Sequence, residues 1–244
     1  MNEDDSAWTR PTTAYWQHLL DGRPGGIGPR PPFRFDYPVH LPDGRVLVLP
    51  LRALPQGDRA VASLIANQAS FTVVEALADH MAALARAAGV DLVVGLPTLG
   101  LTFAGAVAER LGHQRYVPFG YSRKFWYDDA LSEPIFSITS PGSEKRLYID
   151  PNIVPILAGR RICLVDDAIS TGSSALASHR LLARLGVEIA AVVVAMKQTT
   201  RWEKPLGEAS LALRASVRAV FGCPMFARSQ GGWVPIEGTL PEVP

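Results

Sequence analysis

Residues 160–175 read RRICLVDDAISTGSSA. Ile162 to Val165 run without polar alternation into two adjacent carboxylates, Asp166 and Asp167, and a short loop with Thr171 and Gly172 leads into a helical pattern. An unalternated apolar run suits a strand covered on both faces, as in a parallel sheet. In such sheets ligands sit beyond the carboxyl ends of the strands, and that edge here carries the acid pair. The helix opening after the loop begins with N–H groups that lack intrahelical acceptors, so the loop is placed to receive an anion.

Reading outward, short apolar runs recur at 91–94, 115–119 and 189–196, with helical patterns between some of them. Residues 102–111 form one crossover helix closed by Gly112; residues 174–185 form another, with Ala177, Leu181, Leu182 and Leu185 on one face and Gly186 at its end. Strand and helix in alternation predict an α/β fold: a central parallel sheet flanked by helices, with right-handed crossovers. Upstream, residues 35–54 hold two β-prone runs around Asp43-Gly44, which predicts a small N-terminal hairpin. A helical patch is expected at 15–20, and Gly and Pro in GRPGGIGPRPPFR (22–34) rule out a regular element there. Residues 58–88 are Ala- and Leu-rich and read as one long helix or two in succession, with Ser70 as an N-cap and Gly89 as a stop. The expected division is an arm and hairpin over 1–57, an α/β core over 58–202 and a C-terminal extension over 203–244.

Composition narrows the partners. The formal net charge of +1 provides no summed field to draw the chain to nucleic acid or anionic lipid, so any phosphate must be recognised locally. No apolar run approaches the ~20 residues that span a bilayer, and the acidic start MNEDD is unlike a signal peptide. A cytoplasmic protein with no membrane or nucleic-acid partner is expected. Cys163 and Cys223 form no CxxC pair, and the histidines are scattered, which argues against a disulfide scaffold or a zinc site. Carboxylates suited to hydroxyls or Mg²⁺, beside a loop rich in hydroxyls and free amides, describe a site for a sugar phosphate.

The segment CLVDDAISTGSSA (163–175) resembles the phosphoribosyl-diphosphate (PRPP) binding signature of the type I phosphoribosyltransferases. The resemblance implies that Asp166 and Asp167 hold the ribose hydroxyls, and indirectly Mg²⁺. It gives the 5′-phosphate to Ala168, Ile169, Ser170, Thr171, Gly172, Ser173 and Ser174. Leu96, Pro97, Thr98, Leu99 and Gly100 match the family's diphosphate loop, where a strained peptide is common, although this loop lacks the charged side chain many relatives carry. Residues 120–151 occupy the place of a loop that folds over the bound substrates. Its basic candidates are Arg123 and Lys124, assigned to catalysis, and Lys145 and Arg146 on the flexible part. Arg-Lys directly after the second strand is similar to the adenine branch. Lys197 and Trp202 are candidates for a base pocket, and the N-terminal hairpin and the tail are candidates for the family's hood.

The resemblance implies transfer of the 5-phosphoribosyl group between PRPP and a nucleobase, a purine by loop order, with Mg²⁺ and release of diphosphate, in a homodimer. The alternative is a regulator of the same fold that senses PRPP without transfer. Other chemistries fail on their residues. Gly95 and Gly100 have Walker A spacing, but Leu101-Thr102 follow where Lys-Ser/Thr is needed. The dinucleotide fingerprint is absent after the first strand, and residues 172–176 lack the second glycine of a nucleophile elbow.

Overall fold

The computed structural model describes residues 13–22, 30–135 and 145–243. The first half runs β1 (Asp36–His40), β2 (Val46–Ala53), β3 (Arg59–Ala62), α1 (Phe71–Ala87), β4 (Leu92–Gly95), α2 (Gly100–Arg110) and β5 (Val117–Pro118). Next come β6 (Ser132–Ile135), β7 (Lys145–Tyr148), α3 (Val154–Leu157), β8 (Arg161–Ile169), α4 (Ser173–Arg184) and β9 (Glu188–Gln198). The last part holds α5 (Glu203–Ala209), α6 (Leu211–Ala215), β10 (Val217–Cys223), β11 (Met225–Ser229) and β12 (Gly232–Pro235).

The expected parallel sheet is present, in the order β10-β9-β8-β4-β5 with every pairing parallel. Both faces are covered, which is why its strands read as continuous apolar text. One face sets Val93, Cys163, Val165 and Val193 against α1 and α2. The other sets Leu92, Val94, Ile162, Leu164 and Val192 against Leu181 and Leu182 of α4 and against Trp202 and Leu206. Ser70 caps α1 by accepting from the Val73 N–H, and Gly89 ends it at φ 62°.

A second, antiparallel sheet has the order β1-β2-β3-β11-β12. The hairpin at Asp43-Gly44 is its first pair. Phe33, just ahead of β1, exchanges two backbone hydrogen bonds with Trp233 of β12, so the outer edges of this sheet meet and close it into a ring. Gly232 makes the closure possible: a Cβ there would lie 2.5 Å from the Phe33 carbonyl oxygen. Phe33, Tyr37 and Phe226 pack edge to face inside it, with centroids 5.0–6.1 Å apart.

Several expectations are corrected here. Residues 58–70 do not continue the helix. Arg59–Ala62 is strand β3, because pairing with β2 on one side and β11 on the other outweighs an Ala-rich local preference. The patch at 15–20 is a turn followed by a bridge from Leu20 to Val46, and Trp16, at φ 59°, is buried with its indole N–H on the Ser63 carbonyl. The run at 115–119 shortens to the two residues of β5. Beyond residue 202 the chain supplies an edge strand of the parallel sheet and two strands of the closed one. Expectations for the N-terminal twelve residues, for 23–29 and for 136–144 lie outside the described residues.

Candidate active site

β8 carries Asp166 and Asp167 to the carboxyl edge of the parallel sheet, and the chain turns through 170–172 into α4. Gly172 makes the turn in the left-handed region at φ 78°, and a Cβ there would meet a Leu206 methyl at 2.4 Å. The backbone angle is what calls for glycine at 172; the Leu206 methyl of α5, packed against the turn, would have to shift for any larger residue. The turn opens on a cavity of about 150 Å³ lined by Leu96, Asp166 and the run from Ala168 to Ala175. At ~30 Å³ per water in bulk, such a space has room for one phosphate group. Thr171 and Ser173 hydroxyls lie 3.1 Å apart at its rim.

Both carboxyl groups are pushed above the usual carboxylate range. Burial is the first cause for each. For Asp166 the neighbouring Asp167 charge adds to the rise, while N–H groups of Asp167 and Gly100 oppose it. The two carboxyls hydrogen-bond each other, so the pair retains a proton more readily than isolated acids do. Gly100 starts α2 directly against this strand, and a Cβ on it would sit 2.7 Å from both Asp166 Cα and the Val165 carbonyl oxygen. Residues 96–100 thus pass beside the acid pair, and within them the Pro97–Thr98 peptide is cis.

The structure brings Asp166, Asp167, the run 168–174 and the loop 96–100 together at one sheet edge. The basic candidates are placed less uniformly. Lys145 reaches back over the Tyr121 ring, its ammonium 3.7 Å from the centroid. Arg146 donates to the Ser132 hydroxyl across the β6–β7 pair. Arg123 is exposed and pairs with Asp129 at 2.8 Å, and Lys124 is exposed. Lys197 and Trp202 line a different cavity of about 730 Å³ that has no lining residue in common with the turn. There the Lys197 ammonium donates to the Glu242 carbonyl, and burial pushes it down to about 8; Trp202 is core, as its apolar surroundings dictate.

Two residues at the site carried no signal in the sequence. Tyr121 lies beside the Ser174 side chain, and burial first, then the charges of both aspartates, push its hydroxyl up. Arg201 donates to the Ser170 hydroxyl at 2.7 Å. A lone tyrosine after a strand and an arginine beside a core tryptophan are ordinary in text; only the fold carries them to the turn.

No group of three or more metal-ligating side chains is found among the described residues. Two adjacent carboxylates still fit Mg²⁺, which is commonly held by one or two carboxylates together with substrate phosphates. Burial and mutual repulsion in this pair are relieved when hydroxyl protons or a divalent cation approach.

A parallel sheet with an acid pair at a strand end and an anion cradle at the following helix defines an α/β protein equipped to grip a phosphorylated polyhydroxy ligand. The family described as "Phosphoribosyl transferase domain" matches residues 61–219. The chain belongs to the type I phosphoribosyltransferases, on the side of the adenine branch, and is an enzyme of the glycosyltransferase class. It is 34% identical over 135 residues to an adenine phosphoribosyltransferase of Novosphingobium aromaticivorans, covering 54% of this chain and 68% of that one. It is 32% identical over 138 residues to that of Frankia alni, covering 56% and 67%. The fold is shared with an adenine phosphoribosyltransferase structure from Saccharomyces cerevisiae, with a TM-score of 0.52, 21% identity, and 71% and 94% of the two chains covered.

Proposed function

We propose that the protein transfers the 5-phosphoribosyl group of PRPP to adenine, with Mg²⁺, giving AMP and diphosphate. The observation that carries this reading is the half-buried acid pair at the end of β8 opening onto the cradle at the start of α4. Adenine is taken from the relatives, which are named adenine phosphoribosyltransferases.

In this reading the N–H groups and hydroxyls of 168–174 hold the 5′-phosphate, and Asp166 and Asp167 accept from the ribose 2′- and 3′-hydroxyls. Mg²⁺, when bound, neutralises charge on the diphosphate oxygens. Residues 96–100 turn toward the diphosphate, and Lys145 and Arg146 belong to the cover that keeps water from the ribosyl centre. The C1′–oxygen bond to diphosphate breaks as a bond from C1′ to a ring nitrogen of the base forms, and the proton that nitrogen carried leaves to the diphosphate or to water; no covalent nucleophile is required. The sensor alternative draws no support from the relatives reported above, which are named as transferases.

The test is diphosphate release with PRPP and Mg²⁺ across adenine, hypoxanthine, guanine, uracil and orotate. Adenine is expected to give the fastest turnover. Stabilisation by PRPP with no turnover on any base would instead favour the sensor.

A further inference from the structure

The cradle at 168–174 and the loop at 96–100 contain no lysine or arginine. A doubly charged phosphate held by neutral donors alone would be weakly bound compared with one that also meets a cation. A cation reaches the cradle from another element. After β9 the chain turns at Thr199, a buried non-glycine residue at φ 63° whose N–H is held by the Cys223 carbonyl. Left-handed backbone is uncommon for threonine and persists where its surroundings impose it. The turn folds residue 201 back toward β8, so that one terminal nitrogen of Arg201 donates to the Ser170 hydroxyl at 2.7 Å. Its Nε donates to the Thr199 hydroxyl at 3.3 Å.

Both acceptors are neutral, and no carboxylate pairs with Arg201 among the described residues. Its charge therefore stays uncompensated at the lip of the anion site. Ser170 lines the cavity, and a hydroxyl that accepts from a guanidinium keeps its own proton to donate.

We propose that Arg201 is the cation of the phosphate site: it binds the 5′-phosphate through Ser170 and by direct charge, and it selects ligands that carry that phosphate. This rests on the phosphoribosyl reading of the cradle. It also accounts for a cradle that works without a charged residue of its own, since the charge is delivered by the turn after the next strand.

The test is calorimetric titration of ribose 5-phosphate into the wild-type protein, Arg201→Gln and Arg201→Lys, at low and at physiological salt. Arg201→Gln should bind about 10- to 100-fold more weakly, the scale of one charge-assisted hydrogen bond. Its affinity should also depend less on salt, because one cation has gone. Arg201→Lys should restore the salt dependence and part of the affinity. Thermal midpoints without ligand should agree among the three, since the side chain is exposed. Equal binding by Arg201→Gln overturns the assignment to Arg201 alone. So does equal weakness of both variants with a lowered midpoint, the mark of a structural brace. Wild-type protein that fails to bind ribose 5-phosphate overturns the phosphoribosyl reading itself.

Discussion

Asp166 accepts a hydrogen bond from the Asp167 N–H at 3.0 Å, yet burial and the adjacent carboxylate still raise its proton affinity. A group arranged in this way serves a ligand at some cost to the empty protein. The sign follows from linkage: a raised acid favours the fold while protonated, and that contribution is lost as pH climbs from the ordinary carboxylate range through the raised value. Asp166→Asn keeps an acceptor for the Asp167 N–H and removes the charge. Thermal melts should therefore show Asp166→Asn more stable than wild type at neutral pH, with the gap closing toward acid. The same variant should lose affinity for ribose 5-phosphate. The acid pair and the loop were legible because their chemistry is local, carried by sixteen consecutive residues. Tyr121 and Arg201 were not, since their roles depend on where distant strands end.

Among the elements, the β6–β7 pair is anchored by one buried acid. Glu133 meets Arg184 at 2.7 Å and Arg180 at 3.4 Å, both on α4, the helix that the cradle leads into. The pair thus links the cover segment, with Arg146 on β7, to the phosphate site. Both arginines are about half exposed, so solvent screens the contact and its contribution should stay near ~1 kcal/mol. Glu133→Gln should accordingly leave global stability almost unchanged while speeding amide hydrogen exchange in 132–135 and 145–148. Unchanged exchange there would contradict the anchoring. Elements with strong local signals, such as α1 with its serine cap, could be read from the text. Strand β3 could not, because its four residues become a strand only between partners some ten and 165 positions away.

For the whole molecule, one apolar cluster runs from the α1–α2 face of the parallel sheet into the closed sheet, joining Val93 and Val193 with Leu49, Phe226 and Trp233. Gln198, at the end of β9, adds a hydrogen bond to the Ala62 carbonyl of β3. The two sheets should therefore unfold together. Phe226→Ala, at a fully buried ring, should cost about 3–5 kcal/mol and shift a single transition seen alike by tryptophan fluorescence and far-ultraviolet circular dichroism. Two separated transitions would mean that the closed sheet is an independent unit. The union of chain segments before residue 63 and after 224 is a tertiary fact that no local pattern announces, whereas the parallel sheet declared itself strand by strand.

The most direct measurement is the turnover of Asp167→Asn with saturating PRPP, Mg²⁺ and adenine. Loss of at least ~100-fold against wild type, with the fold intact by circular dichroism, is the predicted result, on the scale of removing one preorganised electrostatic contact. Turnover close to wild type would contradict the claim that the end of β8 holds the phosphoribosyl group.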